Sequence, residues 1–360
     1  MNKVRLDNIL KNMKKYNIDQ MVITSPESIF YLLNEWVHPG ERMLALYISA
    51  KGEARLFVNE LFPLKRDPGI LLTVYNDSED PISYLSEVVD EGRTLGIDKD
   101  WPSHFLIRLM KKLKNLKVEV GSIIVDYARM VKDSEEIELM RRASAVNDKA
   151  LGDLIKVLKE GMTELEAGKA LGEIYTKYGT DKFSFEPLIC YGKNAAEPHH
   201  SSDSTKLLKN NCIIIDIGGI TDNYCSDMTR SLFFGEPEEE YRRIYNLVLK
   251  ANLAGIGAVK PGVRFSDIDT AARKVIEDGG YGKYFTHRTG HNLGICVHEY
   301  PDVSSVNDMM VEEGMVFSIE PGIYLHDRYG VRIEDLVVVT KDGCEVLNKL
   351  SKDLIVRKEL

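Results

Sequence analysis

Near the start of the chain, apolar residues at Val4, Leu6, Ile9, Leu10 and Met13 fall close to an i, i+3, i+4, i+7 stripe. That spacing predicts an amphipathic helix over 4–15. Short apolar runs at 21–24, 43–48 and 54–58 predict strands, and Lys51-Gly52 between the last two marks a hairpin turn. Further strands are expected at 71–75 and 94–97, and a helix at 105–113. This alternation predicts a small α/β domain over residues 1–125.

A second domain is expected over 126–360. Its opening signal is Asp133-Ser-Glu-Glu136, in which Asp133 can accept from a free N–H of a helix start while Glu136 bonds back. Helices near 134–159, 163–178, 238–259 and 266–278 alternate with β-rich stretches at 187–191, 212–234, 315–321 and 331–347. Helices mixed with hairpins in this way predict an α+β domain. No short-period repeat or low-complexity segment interrupts the chain.

Composition narrows the function classes. The chain has 360 residues, 44% of them hydrophobic and 29% charged, the balance of a folded globular protein. Its formal net charge is −9, which lacks the basic footprint of a nucleic-acid or anionic-membrane binder. The five cysteines are odd in number and none forms a CxxC pair, which suggests reduced thiols and not a disulfide framework or a thiolate zinc site. The N-terminus is charged throughout, so no signal peptide is expected, and no run of about 20 apolar residues predicts a membrane span. A cytoplasmic protein is expected.

Four motifs carry candidate chemistry. The first pairs Asp216, at the end of the apolar run Ile213-Ile-Ile-Asp216, with Asp227, eleven residues on. The turn residues Gly218-Gly219 and Asp222-Asn223 between them allow a bend that aims both carboxylates at one point, although acids beside turns are also common structural features. The second is Thr289-Gly-His291-Asn-Leu-Gly294 followed by His298, with His287 as a possible third inward group. The third and fourth are Phe317-Ser-Ile-Glu320-Pro-Gly322 and Val331-Arg-Ile-Glu334-Asp335, each with a glutamate in a β-branched or aromatic run. Glutamates are seldom buried unless paired or metal-bound, and two on successive strands call for a cation. Together Asp216, Asp227, His291, Glu320 and Glu334 offer four carboxylates and one imidazole. Such a set suits two divalent ions, with manganese, cobalt or iron favoured by the oxygen-rich ligation and magnesium alone disfavoured by the histidine.

In this order and spacing the residues resemble the metallopeptidases of the pita-bread fold: the Xaa-Pro dipeptidases (prolidases), aminopeptidase P and methionine aminopeptidase. The likeness is strong over about 130–360 and weaker over the first 125 residues, which are similar to a creatinase/prolidase N-terminal domain. Methionine aminopeptidases generally lack that domain, so the resemblance favours the proline-specific branch. It implies a pita-bread domain behind a smaller α/β domain and a metal pair, most simply manganese, with cobalt, iron or zinc as alternatives. It implies that short proline-containing peptides are the substrates and that the enzyme is a homodimer. The loop Asn34-Glu-Trp36-Val-His38-Pro-Gly40 is then expected to border the partner's cleft.

The resemblance also implies roles. Glu320 would relay a proton as well as bind metal, and His298 would contact substrate and stabilise the tetrahedral intermediate. His199 would match a third active-site histidine, with its neighbour His200 as the alternative. Arg332 would lie beside the metal carboxylates. Two departures stand out. Asn292 replaces a glycine common in the family, and Asp302 occupies a position where some prolidases have an arginine that clamps the dipeptide carboxylate. Arg288 and Arg328 are other cations that could serve instead. The competing readings are a non-catalytic peptide-binding protein on the same fold and a methionine-type aminopeptidase.

Overall fold

The N-terminal apolar stripe forms helix α1 (Lys3–Lys15), which buries Ile9 and Met13 and is capped by the Asn2 side chain accepting from the Arg5 N–H. Then follow β1 (Gln20–Ile23), α2 (Pro26–Leu33), β2 (Ala45–Ser49), β3 (Ala54–Asn59) and β4 (Leu71–Tyr75). After these come α3 (Pro81–Ser86), β5 (Thr94–Ile97), α4 (Ser103–Lys112), β6 (Lys117–Val120) and α5 (Ser122–Met130). The structure, a computed structural model, describes residues 1–180 and 182–358. It divides into two units, Met1–Arg129 and Met130–Leu360. The division falls near the end of α5, a helix that runs through position 125.

In the first unit six strands form one mixed sheet in the order β4-β3-β2-β1-β5-β6. The β2–β3 hairpin turns at Lys51-Gly52, where Gly52 adopts φ +84°, a conformation that glycine reaches without steric cost. One face of the sheet packs Val22, Phe57 and Leu95 against Ile82, Leu85, Phe105 and Leu109.

The second unit opens with α6 (Ser134–Val157), whose start is the reciprocal cap expected from sequence: Asp133 accepts from Glu136 N, and Glu136 accepts from Asp133 N. Next come α7 (Glu164–Lys177), β7 (Leu188–Tyr191), β8 (Asn211–Ile217), β9 (Ile220–Thr221), β10 (Tyr224–Cys225) and β11 (Met228–Phe234). Helices α8 (Glu239–Ala258) and α9 (Phe265–Asp278) precede β12 (Gly290–Asn292), β13 (Glu299–Val303), β14 (Val316–Ile319) and β15 (Gly322–Leu325). The last elements are β16 (Tyr329–Arg332), β17 (Asp335–Val339), β18 (Cys344–Val346) and β19 (Ile355–Arg357).

Two sheets dominate this unit, ordered β19-β11-β8-β7 and β13-β12-β14-β17-β18. Strand β8 is buried on both faces because its side chains alternate. Ile213, Ile215 and Ile217 pack with Leu151, Leu154 and Leu171 of α6 and α7. Cys212 and Ile214 pack with Tyr241, Ile244 and Val248 of α8. Among the described residues no helix is long and apolar enough to cross a membrane.

Candidate active site

Strands β8 and β11 are antiparallel, with Asp216 opposite Thr229 and Ile217 opposite Met228. The excursion between them is the small β9–β10 hairpin, which turns at Asp222 and Asn223 with φ +50° and +71°. It returns the chain so that Asp227 arrives beside the end of β8. Gly218 permits the closure: a Cβ there would lie 2.1 Å from the Ser226 carbonyl oxygen.

The second sheet supplies the other half. Glu320 follows β14 and Glu334 precedes β17, and the register pairs Ile319 with Asp335. The two glutamates therefore flank one end of the β14–β17 ladder. They do not sit inside successive strands as the sequence suggested, because the β15–β16 hairpin intervenes. His291 enters from β12, whose Gly290 lies so close to β14 that a Cβ would meet the Ser318 carbonyl oxygen at 1.9 Å. The segment leading to it is anchored by α9. Arg273 donates to the carbonyls of Phe285 and His287, and Asp269 accepts from the Thr289 hydroxyl.

Asp216, Asp227, His291, Glu320, Glu334, His199, His298 and Arg332 all line one cavity of about 390 Å³. Phe185, Leu188 and Val297 give it an apolar side, and His287 and Arg288 also reach it. Ligand-type atoms of Asp227, His291 and Glu334 lie within 4.8 Å of one another. His291 Nε2 is 3.6 Å from Asp227 Oδ2 and 3.4 Å from Glu320 Oε1. Its Nδ1 faces the Asn292 carbonyl at 3.2 Å. A carbonyl only accepts, so the proton sits on Nδ1 and the Nε2 lone pair faces the carboxylates, the tautomer a metal-ligating imidazole needs.

The carboxylates are short of donors. Asp216 Oδ1, Asp227 Oδ1 and Glu334 Oε1 are buried with no hydrogen-bond partner. Burial first, then the mutual repulsion of the acids, raises Asp227 and Glu334 well above the ordinary carboxylate range. Glu320 is pushed up to about 7, chiefly by burial. Burial, reinforced by His298, lowers His291 to about 3, so it is neutral at physiological pH. Neutral imidazole and crowded, unpartnered carboxylates are the donor set of a divalent-cation site, and the residues fit such an ion.

One cation of the chain is already committed there. Arg332 donates to Asp216 Oδ2 at 2.7 Å, to Tyr324 OH at 2.8 Å, to Thr229 Oγ1 at 3.1 Å and to the Pro198 carbonyl at 3.3 Å. Thr229 in turn donates to Glu334 Oε2 at 2.7 Å. Ser318 accepts from the His291 N–H and donates to Glu320 Oε1. Tyr324 OH, having accepted from Arg332, donates to His287 Nε2 at 2.9 Å, and His287 Nδ1 then donates to the Arg288 carbonyl at 2.7 Å.

Thr229, Ser318 and Tyr324 lie outside the ligand positions that the sequence motifs mark. Their roles depend on strand register, and only the alternation Asp227-Met-Thr229 hints at one of them. His298 stands edge-on to His291, with ring centroids 4.4 Å apart. Its loop is held by a buried ion pair between Lys132 and Glu299 at 3.2 Å. Asn292 is fully buried and donates to the Pro301 carbonyl, tying β12 to β13.

Of the two histidines left open, His199 lines the cavity, whereas the His200 ring is engaged by Glu164. Arg288 also lines the cavity, and Asp302 lies 4.0 Å from it. Arg328 is paired with Glu240 and Glu238 instead. In the first unit Trp36 stacks on Phe30 and on His38, with centroids 4.5 and 5.4 Å apart.

Residues 138–341 match metallopeptidase family M24, and residues 5–131 match the creatinase/prolidase N-terminal domain. An uncharacterized peptidase of Staphylococcus aureus (strain USA300) is 37% identical over 356 residues, covering 97% of this chain and 99% of its own. Among solved structures, a dipeptidase of Pyrococcus horikoshii OT3 is 34% identical with TM-score 0.90, covering 98% of this chain and 99% of that one. A recombinant prolidase of Thermococcus sibiricus is 30% identical with TM-score 0.92, covering 99% of each chain. The M24 match spans more than half of the chain and the likenesses run almost its whole length, so the protein belongs to metallopeptidase family M24, with a pita-bread domain behind a creatinase/prolidase-type N-terminal domain.

Proposed function

We propose that this chain is a dinuclear metal-dependent exopeptidase that hydrolyses the bond between an N-terminal residue and proline. The observation that carries the reading is the trio of buried, unpartnered carboxylate oxygens, on Asp216, Asp227 and Glu334, in the cavity that His291 also lines. Asp216, Asp227, His291, Glu320 and Glu334 would hold the ions, with manganese the simplest choice and cobalt, iron or zinc the alternatives. When bound, such ions supply Lewis acidity toward the scissile carbonyl and lower the pKa of water.

The chain's own groups do the rest. Glu320, oriented by the Ser318 hydroxyl, takes the proton of the attacking water and returns it to the proline nitrogen as the bond breaks. His298, kept neutral first by burial and then by Arg288, donates to the oxygen that becomes negative in the tetrahedral intermediate. His199 contacts the substrate, and Arg332 fixes the Asp216 carboxylate. Phe185, Leu188 and Val297 offer the proline ring an apolar surface.

The length preference follows from Asp302. A carboxylate beside Arg288 offsets the cation that would otherwise clamp a dipeptide's C-terminus. Xaa-Pro-peptides of three or more residues should therefore be handled at least as well as Xaa-Pro dipeptides. A cytoplasmic homodimer, with the Trp36–His38 loop bordering the partner's cleft, completes the reading, and a stable active monomer in sedimentation would contradict the dimer.

The test is a peptide panel assayed with manganese, cobalt and zinc, reading the released N-terminal residue. Release only before proline and only with metal supports the proposal. Release of methionine without regard to proline would make this a methionine-type aminopeptidase, and binding without cleavage would make it a peptide-binding protein.

A further inference from the structure

Glu164 is a carboxylate with no part in the chemistry above, yet it is fully buried and every acceptor position it offers is used. Oε1 accepts from Tyr191 N at 2.7 Å and Asn194 Nδ2 at 3.0 Å. Oε2 accepts from Asp203 N at 2.9 Å and meets His200 Nε2 at 3.0 Å. A carboxylate in this setting only accepts, so the His200 proton sits on Nε2. As the first residue of α7, after the Thr163 cap, Glu164 also has its negative charge at the favourable end of the helix dipole. All four donors lie between residues 191 and 203, so one side chain gathers the whole loop that leaves β7.

His199 sits inside that loop, and both of its neighbours are fixed. Pro198 is held through its carbonyl by Arg332 at 3.3 Å, and His200 is held through its ring by Glu164. With one neighbour pinned from the cavity side and the other from the α7 side, the backbone has little freedom to exchange the two histidines. We propose that Glu164 is the positioning residue that decides which histidine of the pair faces the cavity, holding His200 back so that His199 is presented to substrate. The kinetic part of this proposal rests on the Xaa-Pro reading above.

The test compares Glu164→Gln and Glu164→Asp with the parent enzyme. A glutamine keeps the shape but offers a single acceptor oxygen, and its amide would oppose two of the four donors. Glu164→Gln is expected to lower kcat on an Ala-Pro-Xaa peptide by about 10- to 100-fold with KM changed less than about threefold. Glu164→Asp should restore part of the loss. In a His199→Ala background Glu164→Gln should add less than about threefold, because its effect is routed through His199. His200→Ala removes one of the four donors and should act in the same direction, more weakly. An equal loss from Glu164→Gln in both backgrounds, or a rise in KM with kcat intact, would overturn the proposal.

Ring nitrogen spectra of histidine-labelled full-length protein give an arm that needs no turnover. The parent should show His200 as the Nε2–H tautomer. Glu164→Gln should shift His199 and His200 while leaving His38, His104 and His326 in place. A His200 ring protonated on Nδ1, or an unmoved His199, would overturn the proposal even if the parent cleaves no Xaa-Pro peptide; that last result alone would fault the substrate reading instead.

Discussion

Two trios in this molecule look alike on paper. Asp227, His291 and Glu334 bring ligand-type atoms within 4.8 Å of one another, and so do Glu164, His200 and Asp203. Their hydrogen bonds separate them. In the second trio Glu164 is saturated by four donors, and Asp203 Oδ1 accepts from the Thr205 N–H. In the first, Asp227 Oδ1 and Glu334 Oε1 have no partner although buried, and the same holds for Asp216 Oδ1 nearby. A buried polar group left unpaired costs about 1–3 kcal/mol, and more when charged. The chain has many polar groups able to close such gaps and closes them at Glu164. Three open oxygens in one cavity with a neutral imidazole support the proposal that a cation completes that site, and the saturated trio gives no such support. Proximity of acids and histidine identifies neither; the satisfaction of their lone pairs does.

The largest effects are expected at the open, donor-poor site. Asp227→Ala and Glu320→Ala should each lower kcat/KM by on the order of 10³-fold or more while the chain stays folded by circular dichroism, since the first removes a proposed metal ligand and the second a proposed ligand that also relays the proton. Chelation of the parent should do the same and be reversed by manganese. Next in size is Thr229→Val, which deletes the hydroxyl linking Arg332 to Glu334. It should weaken metal affinity, read by competition with a chromogenic chelator, by about 10- to 100-fold.

A pH series sharpens the contrast further. The Glu320 carboxyl is raised from an ordinary 4.5 to about 7 by burial, and Asp227 and Glu334 move in the same direction. A raised carboxyl stabilises the metal-free fold below pH 4.5 and loses that contribution as pH climbs through 7. The gain in Tm on adding metal to chelated protein should therefore grow from pH 5 to pH 8; a constant gain would mean these acids are not the ligands.

Smaller still, Asp302→Asn should raise kcat/KM for Ala-Pro relative to Ala-Pro-Xaa by several-fold, because a half-exposed pair is worth at most about 1 kcal/mol. At the closed trio, Asp203→Ala should change metal stoichiometry not at all, since its side chain is not needed to hold an ion.

The sequence reads clearly where a pattern is local. The stripes of α6, α7, α8 and α9 are long and periodic, and the Asp133–Glu136 cap marks a start that the structure reproduces. Helix α2 escapes because Ile29–Leu33 is an unbroken apolar and aromatic run, buried throughout, so it carries no stripe; the Ser25 cap and Pro26 at the first turn are its local signals. Strands β12 and β13 escape because their sequences, Gly-His-Asn and Glu-Tyr-Pro-Asp-Val, are mostly polar and are made strands by their partners. The same divide runs through the site. The residues in ordered motifs could be named in advance, and they line one cavity. Thr229, Ser318 and Tyr324 could not, because each matters only through the register that sets it against a carboxylate or an arginine.

The most direct measurement is the restoration of Ala-Pro-Xaa hydrolysis as manganese is titrated into chelated protein. No activity is expected without metal, and full activity at about two equivalents per chain. Full activity in the chelated protein, or no response to any divalent ion while the peptide still binds, would contradict it.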